Sequence, residues 1–231
     1  MSNNSYLFAV EPLADPTGSQ RHRLVAQQAY DSPLLFLLLC SVSPTQVPTR
    51  VFPNESGTES IAILADFAAG LARANEFMQA CLNLNQQHQV IPPAELEAMV
   101  AQVRNILHHP DLARCTHFLL EAGEILFMVC ADGNQAARRL LIQAQQSPER
   151  ATERLRTIFL EPYTPPTSED TNDDGFYIPD FDRMSDAEYF EFIREDFEDA
   201  DALRPPPEKL ENLGFRAFNS PAHLDDFDYK S

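Results

Sequence analysis

The stretch "DLARCTHFLLEAGEILFMVC", from Asp111 to Cys130, decides whether the chain reads as helical or mixed. A helix is predicted over Asp111 to Ala122, and Gly123 ends it. The run "EILFMVC" then predicts a strand over Ile125 to Cys130, closed by a turn at "ADGN". Its expected partner is Ser5 to Val10, "SYLFAV", which is short, apolar and β-prone.

Working outward, helices dominate. "PPAELEAMVAQVRNILHHP" opens on proline, where a missing amide is harmless, and closes at Pro110. This predicts a helix with Leu96, Met99, Val103, Ile106 and Leu107 inward. From Thr58 to Leu84, Ile61, Leu64, Ala65, Ala68, Leu71 and Ala72 recur at intervals of three and four, continued by Met78 and Leu82, which predicts one long helix. Arg21 to Tyr30 and Leu34 to Cys40 suit short helices split at Pro33, and Gln135 to Gln145 and Pro148 to Leu160 suit two more. The expected fold is therefore mainly α, in the α+β sense of a helical domain with a few short strands. An acidic helix and a wrapping C-terminal tail follow it.

The charge divides the chain. Of 231 residues, 35 are acidic and 17 basic, a formal net charge of -18. Residues 1–160 carry 15 acidic and 11 basic side chains, whereas residues 161–231 carry 20 and 6. The break falls at "EPYTPPTSED", whose prolines disfavour helix. Two units are expected: a helical globular domain over 1–160 and an acidic segment over 161–231. A field of this sign repels phosphate backbones, so nucleic acid is excluded as a partner and a basic protein is its complement.

Cys40, Cys81, Cys115 and Cys130 lie far apart with no C-x-x-C pair, the pattern of buried thiols in a reducing compartment. The N-terminus lacks the basic start and apolar core of a secretory signal, and "PLLFLLLCSV" is too short to span a bilayer. A cytoplasmic location without membrane partners is expected.

"DTNDDGF", from Asp170 to Phe176, resembles the first half of a calcium loop. Asp170, Asn172 and Asp174 fall at ligand positions 1, 3 and 5, and Gly175 at the sharp turn. Position 12 is Phe181, which offers no side-chain oxygen, and no helix enters the loop. A solvated acidic turn is the favoured reading, and no cofactor is expected.

Just downstream, Ser185 and Glu188 stand in the capping-box relation and predict a helix from Asp186 to about Leu203. Tyr189, Phe190, Ile193, Phe197 and Ala200 share one face. From Asp186 to Asp201 there are 8 acids and one base, Arg194. Crowded like charge weakens an isolated helix, so the apolar face needs a surface to dock on. The tail repeats the mixture, with Phe227 between Asp226 and Asp228.

Signatures of catalysis are missing from the sequence. His108, His109, Cys115 and His117 lack metal-ligand spacing, and no G-x-S-x-G elbow or phosphate-cradling glycine loop occurs. An enzyme is therefore not expected. The runs "NNSYLFAVEPLAD", "QQAYDSPLLFLLL" and "HFLLEAGEILFM" resemble bacterial proteins loosely described as molybdenum metabolism regulators and their stand-alone relatives. That resemblance covers residues 1–160 at most, implies a cytoplasmic bacterial protein, and transfers no functional residues.

The leading expectation is a bacterial immunity protein or similar inhibitor that neutralises a basic toxin or effector. Its contact residues would be Asp180, Asp182, Glu188, Tyr189, Glu191, Glu195, Asp196, Glu198, Asp199, Asp225, Asp226 and Phe227, with acids steering the partner and aromatics anchoring it. The alternative is a regulatory or scaffold protein, with a divalent ion ordering the loop at Asp170.

Overall fold

The computed structural model describes residues 4–12, 22–49, 61–123, 125–126, 132–161, 181–192 and 213–218. Strand β1 (Asn4–Val10) pairs with β2 (His22–Ala29) on one side. On its other side it pairs with β5 (His117–Glu121), which pairs in turn with β4 (Ala62–Asp66) and through it β3 (Thr45–Val47). The sheet order is β2-β1-β5-β4-β3, antiparallel throughout.

Four helices bury one face of this sheet. They are α1 (Leu34–Leu39), α2 (Phe67–His88), α3 (Pro93–Leu107) and α4 (Gly133–Phe159). Leu7 and Ala9 of β1, Ile63 and Ala65 of β4, and Phe118 and Leu120 of β5 join the helices in the main core. On the opposite face Phe8, Val10, Ala62 and Leu119 form a second, smaller buried cluster.

A mainly helical fold is thus overturned: the chain is α+β, and the sheet is its organising layer. Residues 111–122 form not a helix but a 3-10 turn (Pro110–Leu112) followed by central strand β5. It is buried on both faces, so its apolar run shows no alternation and reads like a buried helix. Ile125 and Leu126 are helical rather than extended, and β1 pairs with β5 instead; residues 127–130 lie outside the described residues.

Residues 22–29 also form a strand where a helix is expected. Leu7 faces Ala26 and Phe8 faces Leu24, which leaves Val25 as an extra residue in a bulge that breaks the period of two. The helix expected over Thr58 to Leu84 divides at Asp66 into β4 and α2. Asp66 caps α2, accepting from the Ala69 amide at 2.7 Å.

The two helices expected around Pro148 are one, α4. Proline at 148 deprives the Ala144 carbonyl of its amide donor, and the Ser147 hydroxyl donates to that oxygen at 2.8 Å instead. The expected helices at Leu34 and Pro93 are present, with Leu96, Val103, Ile106 and Leu107 buried.

The turn between α2 and α3 depends on Asn85. Its amide donates to the Ile91 carbonyl at 2.9 Å and accepts from the Ile91 amide at 2.9 Å, both in the buried interior. Asn85→Ala orphans a buried donor and acceptor, and is expected to lower stability by about 2 kcal/mol in urea titration. A change below about 0.5 kcal/mol would show that the turn holds without them.

Part of the acidic third belongs to the main core. Leu213, Phe215, Ala217 and Phe218 are buried there. Phe218 meets Phe36 edge to face at 5.9 Å, and Phe215 stacks on Phe77 at 6.5 Å. Gln102 donates to the Phe218 carbonyl at 2.5 Å.

Candidate functional site

Helix α4 positions the most unusual side chain in the structure. Asp132 caps its first turn, accepting from the amides of Asn134 at 2.9 Å and Gln135 at 3.2 Å. Ala136, Ala137, Leu140 and Ala144 then turn inward, and Arg139 lies on that same stripe, only 2% exposed. A guanidinium removed from water must find protein partners for its charge and its donors.

Residues 181–192 supply them. The Arg139 Nε donates to Asp186 Oδ1 at 3.3 Å, Nη1 to the Phe181 carbonyl at 3.0 Å, and Nη2 to the Met184 carbonyl at 2.7 Å. The Tyr189 ring lies 4.2 Å from the guanidinium carbon, within range of a cation–π contact. Arg138, on the exposed side, reaches the other Asp186 oxygen at 2.6 Å. Gln143 donates to the Tyr189 hydroxyl at 3.4 Å.

The docked segment folds as its sequence predicts over the part described. The Ser185 amide donates to Glu188 Oε2 at 2.8 Å and the Glu188 amide to Ser185 Oγ at 3.3 Å, a reciprocal capping box. Helix α5 follows over residues 186–192. Phe181, at the last position of the would-be calcium loop, meets Tyr189 at 5.8 Å and Phe192 at 5.5 Å.

Desolvation works against the Asp186 carboxylate, but hydrogen bonds from Arg138 and Arg139 and their charges hold it below the usual range. The unfolded group titrates near 3.8 and the folded group lower, so this contribution is present above that pH and lost as the pH falls through the folded value. The amides of residues 185–192 are expected to lose hydrogen-exchange protection, relative to their intrinsic rates at each pH, as the pH falls below the ordinary aspartate value of 3.8 and before global unfolding. Equal protection of this segment and of β5 down to the global transition would refute it.

A second polar group, Asp31 in the turn after β2, lies within reach of the charges of Arg150 and Arg154 on α4. Burial raises the Asp31 carboxyl, while the Ser32 amide, at 2.7 Å from Oδ1, and the charges of Arg150 and Arg154 pull it back down. Desolvation lowers the Arg150 pKa, countered by Asp31 and Tyr189. The Ser5 hydroxyl donates to the Asp31 carbonyl at 2.5 Å, tying this turn to β1.

The expected contact residues separate into two groups. Asp182, Glu188 and Glu191 are exposed, whereas Tyr189 is buried against Arg139. Tyr189 therefore anchors the segment on its own domain. Asp180, Glu195, Asp196, Glu198, Asp199, Asp225, Asp226 and Phe227 lie outside the described residues, as do Asp170, Asn172 and Asp174. Sequence reasoning missed Arg138 and Arg139. The available signal was an arginine on the apolar stripe of a helix, which demands a partner from elsewhere in the chain.

The histidines and cysteines go separate ways. His108 Nε2 stands 3.3 Å from the Asn75 amide, His109 accepts from the Asp111 amide at 3.3 Å, and His117 meets the Thr116 hydroxyl at 2.9 Å. Among the described residues, no group of three His, Cys, Asp or Glu side chains is placed to hold a metal ion. Burial pushes the Cys81 thiol up to about 12 and Cys115 up to about 11, which leaves both protonated and unreactive at neutral pH.

The fold and site define an α+β domain that carries its own C-terminal segment on an arginine-bearing helix. Residues 11–160 match the family described as Domain of unknown function (DUF7822), and the chain belongs to that family. No curated protein and no solved structure matches it. The family match carries no link to molybdenum metabolism regulators. Among the described residues, no helix is long and apolar enough to cross a membrane.

Proposed function

We propose that the protein is a cytoplasmic binding protein, without an enzymatic reaction of its own, that captures a basic partner on its acidic face; an inhibitor of the bacterial immunity type is the specific form. One observation carries this reading. The segment docks by Tyr189 and Asp186 while Asp182, Glu188 and Glu191 remain exposed, so packing takes one ring and one carboxylate and leaves three acidic residues at the surface. Exposed acids held on a rigid support accelerate capture of a cationic surface.

Truncation at residue 160 is a poor test, because it removes Leu213, Phe215, Ala217 and Phe218 from the core. The triple variant Asp182→Asn, Glu188→Gln, Glu191→Gln is preferable, since glutamine preserves the capping box. Affinity purification from native lysate with mass spectrometry should retain a basic protein on the wild-type chain. Association with the variant should be roughly tenfold slower at low salt. Equal association, or no basic protein retained by either chain, would overturn the reading.

A further inference from the structure

We draw no further inference here: the strongest candidate, the polar cluster on the sheet face opposite the helices, where the fully buried Glu121 of β5 accepts from the Thr49 hydroxyl at 2.6 Å and stands across from Tyr6 of β1, carries nothing because nothing among the described residues shows what covers it.

Discussion

Arg139→Met lowers the unfolding free energy by about 3 kcal/mol and releases residues 181–192 from α4. Methionine fills much of the volume, so little of this effect is cavity formation. The loss comes from the half-buried Phe181 and Met184 carbonyls and the Asp186 carboxylate, which lose the donors of a guanidinium that is itself 2% exposed, although Asp186 keeps Arg138. Arg139→Lys keeps the charge but not the fork, and should recover less than half of the loss. Urea titration measures the first quantity and hydrogen exchange at residues 184–192 the second. A loss below about 0.5 kcal/mol with unchanged protection would mean that the apolar contacts of Tyr189 and Phe181 hold the segment alone.

Gly70→Ala has an effect of similar size for an unrelated reason. A methyl group at this position of α2 would overlap the Leu39 carbonyl oxygen and press on the Phe118 ring at 3.3 Å. The obstacle is backbone at the end of α1, which cannot rotate aside. Alanine otherwise favours a helix over glycine by about 1 kcal/mol, so the sign of the result separates the two effects. Overpacking should win, with a net loss of about 3 kcal/mol in thermal or urea unfolding. A stabilised Gly70→Ala protein would show that α1 and α2 have room to separate.

The helices were the legible part of the fold. Apolar residues recur on one side of α3, and proline opens it, so local pattern and burial agree. Strand β1 was legible too, as a short, apolar, β-prone run at Ser5 to Val10. Two other strands were hidden for physical reasons: β5 lies inside the sheet and is buried on both faces, which erases alternation, and β2 carries a bulge at Val25 that shifts it. The boundary at Asp66 sat inside a continuous helical-looking period, and only the folded chain shows it capping the Ala69 amide. At the candidate site, the capping box of Ser185 and Glu188 was readable because both partners lie within one turn. Arg139 was not, because its partners Phe181, Met184 and Asp186 are more than forty residues away.

By itself the sequence determined the concentration of acidic charge in residues 161–231, the helices at Leu34 and Pro93, and the start of α5. These follow from composition and from interactions within a turn or two. Only the tertiary structure decided that an antiparallel sheet organises the domain, that Phe215 and Phe218 complete its core, and that Tyr189 faces inward on Arg139. Strand pairing and the neutralisation of a buried guanidinium are long-range contacts. Their energy depends on which distant residues meet, a quantity that no local pattern carries.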